Sequence, residues 1–184
     1  MILLSDLPYV DDHKGRLWDL SNLFIGIAPV VTIRHKADNS RSIEPTTIAA
    51  KEEYSNTSRS YSGRYVVETF SQSRCGIDLE TLKPAEANWS IHSPLFELAM
   101  LAPGEKELIE ASDFCQHENL PTVIWASKEA LAKALGDAKN YEPTQLRSPI
   151  TWAAEPSPNW SAQHREFLTE DGQRLILWLV AEKH

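Results

Sequence analysis

The feature that most constrains the fold is the apolar run Leu175-Ile176-Leu177-Trp178-Leu179-Val180. Successive side chains of a strand leave on opposite faces, so an unbroken apolar run makes both faces hydrophobic. It reads as a central strand buried on both sides. Just before it, Glu170-Asp171-Gly172 reads as a hairpin turn, with Glu166 to Thr169 as the returning strand. The C-terminal portion runs strand, helix, strand, strand, and the N-terminal portion is strand-rich. The fold class this order predicts is α+β.

Two further stretches carry the chemistry. Cys75-Gly76-Ile77-Asp78-Leu79-Glu80 reads as a strand in which Asp78 and Glu80 share one face. Their Cα atoms would lie ~6.5 Å apart, two strand rises. Trp125 to Lys133 reads as a helix of good formers, inside a span from about Thr122 to Leu135 that Gly136 ends. Glu129 and Lys133 are four apart and share a helix face. Three carboxylates brought together would resist ionising. A hard divalent cation removes that cost, and Mg²⁺ is held by one or a few carboxylates plus substrate phosphates.

The pair of motifs, Gly76-Ile77-Asp78-Leu79-Glu80 and Trp125-Ala126-Ser127-Lys128-Glu129-Ala130-Leu131-Ala132-Lys133, resembles the G-[IV]-D-x-E strand and W-x-x-K-E-[AS]-x-x-K helix of the 4′-phosphopantetheinyl transferase superfamily. Each motif alone is weak; both in this order are much more specific. Asn56-Thr57-Ser58-Arg59-Ser60 is similar to the N-x-S-H-S segment in which Ser and His touch coenzyme A phosphates, with Arg59 in place of His. Arginine keeps a permanent charge and a donor fork for phosphate but cannot move a proton. Leu101-Ala102-Pro103-Gly104-Glu105 loosely fits an F-x-P-x-E-like element.

The resemblance spans Asn56 to Gly136, plus the C-terminal hairpin by topology, and leaves Met1 to Ala50 unmatched. It implies two similar small α/β lobes with the active site between them, divided as residues 1–74 and 75–184. It implies transfer of 4′-phosphopantetheine from coenzyme A to a carrier-protein serine, leaving 3′,5′-ADP. The implied metal ligands for Mg²⁺ are Asp78, Glu80 and Glu129. Glu129 would take the serine proton, Lys133 would stabilise the pyrophosphate, and Arg59, Ser60, Lys128 and Lys133 would hold coenzyme A. Two other readings stand beside it: a non-catalytic relative that binds coenzyme A or a carrier protein, and a Mg²⁺-dependent phosphohydrolase. Within the family short members are trimers and two-lobed ones monomers, so this length implies a monomer.

Net charge is −8, against general nucleic-acid binding, which needs a basic footprint. An acidic carrier and coenzyme A would then need a local basic patch. The trio Arg34-His35-Lys36 reads as an exposed strand end and as a candidate phosphate contact. There is no run of 18 apolar residues for a membrane span, and Met1 to Leu4 is too short an apolar start for a signal peptide. Two cysteines, Cys75 and Cys115, make no disulfide framework. These features predict a cytoplasmic protein. The six histidines show no metal-ligand spacing and read as surface residues.

The remaining expectations concern local structure. A short helix is predicted around Leu17 to Leu20, and two short strands with a bend over Leu23 to Ile33. Thr46 to Tyr54 fits a helix or a strand. Ser55 to Ser62, rich in Ser, Thr and Asn, reads as a loop. Tyr65 to Ser71 reads as an antiparallel neighbour of the Gly76 strand. Leu95 to Ala111 reads as two helices broken at Pro103, and Ile150 to Ala154 as a short strand.

Overall fold

A computed structural model describes residues 1–12, 14–26, 30–36, 54–83 and 90–183. The strands are β1 (Ile2–Leu3), β2 (Tyr9–Asp12), β3 (Gly15–Asp19), β4 (Val30–Lys36), β5 (Asn56–Ser62), β6 (Tyr65–Ser71), β7 (Cys75–Thr81), β8 (Trp160–Leu168) and β9 (Arg174–Glu182). The α-helices among the described residues are α1 (Pro94–Met100), α2 (Glu105–Glu110) and α3 (Leu120–Leu135). One sheet has the order β2-β3-β4-β6-β5 and the other β1-β8-β9-β7. The architecture is the mixed α+β kind that the element order predicts.

β9 explains the layering. Leu175, Leu177 and Leu179 point between the sheets, where they meet Ile77, Leu79 and Phe167 of their own sheet and Val31, Ile33 and Val67 of the other. Ile176, Trp178 and Val180 point the other way, into a second core with Phe96, Ile109, Val123 and Ile124 from the helices. Each fully buried side chain of this size stabilises by ~1.5–3 kcal/mol. The central apolar run is thus satisfied on both sides. β1 pairs parallel with β8 through Ile2–Phe167 and Leu3–Leu168, so the first residues join the sheet built from residues 75–182.

Several local expectations are corrected. Ser55 to Ser62 is not a loop: Asn56–Ser62 is strand β5, because β6 supplies its ladder and β7 receives its serine hydroxyls. β6 is followed in sequence by β7 but is not its ladder partner; β6 lies between β4 and β5, and β7 pairs with β9. Leu17 to Leu20 is no helix, since Gly15–Asp19 forms β3 between β2 and β4. Between Leu23 and Ile33 the described residues hold the end of a 3₁₀ turn, Ser21–Leu23, and then β4. Arg34-His35-Lys36 lies inside β4, with Arg34 and Lys36 buried rather than exposed. Pro149–Ala153 is a 3₁₀ helix in place of a strand, capped by the Ser148 side chain, which accepts from Ile150 N. The expectations for residues 46–53 lie outside the described residues.

Others hold. Pro103 and Gly104 separate α1 from α2, and Gly104 has a φ of 70°. α3 ends at Gly136, whose φ of 82° is the left-handed value that glycine adopts without strain. The hairpin turn at 170–172 joins antiparallel β8 and β9.

Candidate functional site

β7 is an edge strand, with Ile77 and Leu79 inside the intersheet core and Gly76, Asp78 and Glu80 facing α3. Gly76 sets the approach. A Cβ there would lie 2.0 Å from Ala130 O, 2.4 Å from Ala134 N and 2.9 Å from Lys133 Cβ. Only glycine permits the helix to lie directly on the strand backbone. That contact brings Lys133 onto Asp78: Nζ donates to Asp78 Oδ1 at 2.6 Å and to Ile77 O at 3.1 Å.

From the other side, alternate residues of β5 reach the free edge of β7. Ser58 Oγ accepts from Ile77 N at 3.0 Å, Ser60 Oγ donates to Asp78 Oδ1 at 2.7 Å, and Ser62 and Thr81 hydroxyls meet at 2.8 Å. The serines that look loop-like in sequence are the bridge between the two sheets. Ser60, with Lys133, holds the Asp78 carboxylate through Oδ1. Asp78 is 3% exposed, with two donors on Oδ1; its buried Oδ2 has no partner among the described residues. An orphaned buried carboxylate oxygen costs free energy unless something binds it.

Glu80 lies one strand repeat along. Burial, reinforced by the negative charge of Asp78, pushes its carboxyl up to about 7, against the pull of Lys133 and a hydrogen bond from Trp125. Glu129 accepts a hydrogen bond from Tyr141 Oη at 2.7 Å. Burial first, then Glu129 and Asp78, raises the Tyr141 phenol, so it stays a donor. Glu80 feels both Asp78 and Glu129, and Tyr141 likewise, so the predicted acids share one neighbourhood. Among the described residues, however, no three His, Cys, Asp or Glu converge closely enough to hold an ion as they stand. Lys133 and Tyr141 occupy one oxygen each of Asp78 and Glu129.

A cleft of about 890 Å³ opens beside these groups. Its walls include Ser62 and Gly63 of the β5–β6 turn, Glu80 and Lys83 at the end of β7, Met100 of α1 and Trp125 of α3. Glu80 borders the cleft and Asp78 lies deeper. Lys83 is an exposed cation on this wall. It escaped the sequence reading, although it stands three residues past Glu80. Tyr141 escaped too, because only the folded path of residues 136–141 returns it to Glu129.

Two predicted coenzyme A contacts are placed elsewhere. Lys128 is fully buried, and its Nζ donates to Glu105 Oε2 at 2.6 Å, Met100 O at 2.6 Å and Pro143 O at 2.8 Å. An ammonium has three donors, so none is left for a phosphate. Glu105 in turn accepts from Ala102 N and Ser148 N. Arg59 lies on the face of β5 opposite Ser60, as strand alternation requires. Its guanidinium binds Glu68 on β6 and the Tyr61 hydroxyl. Ser60 is near the acids, but buried on Asp78.

His92 is exposed as expected, but two other histidines are not simple surface residues. His117 is half-buried, with Nε2 on Glu166 at 2.8 Å and Nδ1 accepting from Asn119 N. His164 is half-buried too, and stacks on Trp178. Cys75 and Cys115 are free thiols, and burial pushes Cys75 up to about 11. Among the described residues no helix is long and apolar enough to cross a membrane.

A buried Asp paired with a partly exposed Lys, an adjacent raised carboxyl and a nearby Glu-Tyr pair, set beside a large cleft, define a site suited to anionic groups and a cation. The family model described as the 4′-phosphopantetheinyl transferase superfamily matches residues 74–179, from the start of β7 into β9. The chain belongs to that superfamily. No curated protein matches it.

Proposed function

We propose that this chain transfers 4′-phosphopantetheine from coenzyme A to a serine hydroxyl of an acyl or peptidyl carrier protein, with Mg²⁺. The superfamily is one of phosphopantetheinyl transferases. The observation that carries the finer reading is Asp78: a buried carboxylate held by Ser60 and Lys133 on Oδ1, with Oδ2 left unpartnered beside Glu80 and Glu129. A hard cation suits such an oxygen donor. Asp78, with Glu129 and Glu80, would hold it. When bound, Mg²⁺ supplies charge neutralisation at the pyrophosphate.

The chain's own residues divide the remaining work. The serine oxygen forms a bond to the phosphorus that bears the pantetheine arm. The bond from that phosphorus to the bridging oxygen breaks, and 3′,5′-ADP leaves with the electron pair. Glu129 would accept the serine proton. Lys133, fixed on Asp78 with its ammonium partly exposed, would stabilise the developing negative charge. Lys83 on the cleft wall offers the phosphate contact that Arg59 and Lys128 do not. Burial of Asp78 keeps its field strong by excluding water.

The test is incubation with coenzyme A, Mg²⁺ and a panel of apo-carrier proteins, read by intact mass. Addition of one phosphopantetheine per carrier supports transfer. Hydrolysed coenzyme A with an unmodified carrier supports the phosphohydrolase reading. Coenzyme A binding with neither product supports a binding module.

A further inference from the structure

The contact between Tyr141 and Glu129 is not called for by the fold alone. Tyr141 sits in the segment that leaves α3, and that segment is fixed at three points. Gly136 turns the chain left-handed out of the helix, and Asp137 N returns to Ala132 O at 3.0 Å. Tyr141 N then closes a turn on Asp137 O at 3.1 Å. Two residues past Tyr141, Pro143 O receives the buried Lys128 ammonium at 2.8 Å. Lys128 and Glu129 are consecutive on α3, so one grips the segment from within the core and the other receives its phenol from the partly exposed side. The result is a half-buried hydroxyl delivered to one chosen oxygen, Glu129 Oε1, at 2.7 Å.

We propose that Tyr141 is a positioning residue that holds the Glu129 carboxylate in the orientation from which it serves the divalent cation. The inference rests on the metal reading given above. Oε1 is tied by the phenol, which leaves Oε2 for a cation shared with Asp78, whose Oδ2 has no partner among the described residues. A glutamate on a partly exposed helix face otherwise samples several rotamers, and freezing it on binding costs affinity. Donors that orient a ligating carboxylate typically contribute 10–100-fold in metal affinity. Tyr141 is thus assigned to this site by its hydrogen bond and by the anchoring of its segment, not by the helix motif, which ends at Lys133.

The experiment titrates Mn²⁺ as a probe for Mg²⁺, since both favour carboxylate oxygens. Free Mn²⁺ is read by its paramagnetic resonance signal, with the metal alone and with coenzyme A present, and no carrier protein added. Tyr141→Phe keeps the ring and removes only the hydroxyl. It should weaken Mn²⁺ binding about tenfold while its thermal unfolding stays close to wild type. In a Glu129→Gln background the same change should have no further effect on Mn²⁺, because the route through Glu129 is already gone. Wild-type Mn²⁺ affinity in Tyr141→Phe overturns the inference and leaves the metal reading standing. An equal loss in the Glu129→Gln background also overturns it, since the hydroxyl would then act by another route. If the wild-type protein binds no Mn²⁺ under either condition, the metal reading fails and the inference with it.

Discussion

The Lys133 ammonium meets Asp78 Oδ1 at 2.6 Å because Gly76, two residues earlier on the same strand face, has no side chain to hold the helix away. One glycine thus sets the spacing on which the candidate chemistry depends. Gly76→Ala puts a methyl 2.0 Å from a helix carbonyl and 2.4 Å from a helix amide, both backbone atoms. Neither can rotate aside, so α3 must shift off β7. Overpacking of this kind costs ~1–3 kcal/mol. Denaturant unfolding should show that loss, and transfer activity should fall further than stability does, since the Asp78–Lys133 contact is displaced. Wild-type stability in Gly76→Ala would mean that the helix does not sit on this strand as described.

Lys128 should behave as a core residue. Removing one partner of a buried ion pair leaves the other uncompensated and costs about 3–5 kcal/mol. Lys128→Met is therefore expected to lower unfolding free energy by that order. Residual folded protein should bind coenzyme A as wild type does. A stable Lys128→Met protein with weakened coenzyme A binding would restore the phosphate role that the geometry removes.

Glu80 makes stability pH-dependent in the metal-free protein. Its native value of about 7 lies above the ordinary carboxyl range, mainly through burial. Between about 4.3 and 7 the unfolded chain releases the proton that the native state keeps. The unfolded state then binds fewer protons, so this group's contribution falls as pH rises through that window and is fully present below it. Glu80→Gln should flatten the decline. Chemical unfolding of both proteins at pH 4.5, 6 and 7.5 reads the difference; parallel curves would show that Glu80 titrates normally.

Arg59→Ala should reduce stability, because it removes a cross-strand counter-charge from the buried Glu68. Coenzyme A affinity, measured by calorimetry, should stay near wild type. A tenfold or larger loss of affinity, about 1.4 kcal/mol, would place Arg59 at the phosphate after all.

How far the sequence could be read follows from where each element gets its stability. α3 and β9 were legible because their own residues specify them: good helix formers ending at Gly136, and an apolar run that needs two covered faces. The motif acids were legible because strand and helix periodicity assign faces without any tertiary knowledge. β5 was not, because Ser58, Ser60 and Ser62 form a strand only when β6 gives a ladder and β7 supplies hydrogen-bond partners for their hydroxyls. The partner of β7 is illegible for a related reason: β6 and β7 are adjacent in sequence, but β7 finds its ladder in β9, at the far end of the chain. Lys128 looked like a site residue because the motif places it beside Glu129. Adjacent helix positions point about 100° apart, and that rotation takes Lys128 into the core.

The most direct test of the central claim compares wild type with Asp78→Asn, which keeps the size of the side chain and removes its charge. Each is incubated with coenzyme A, Mg²⁺ and an apo-carrier protein, and both products are quantified: holo-carrier by intact mass and 3′,5′-ADP by chromatography. The account predicts equal amounts of the two products from wild type, and neither from Asp78→Asn, although that variant folds. Equal turnover by Asp78→Asn, or 3′,5′-ADP formed by wild type without holo-carrier, would contradict it.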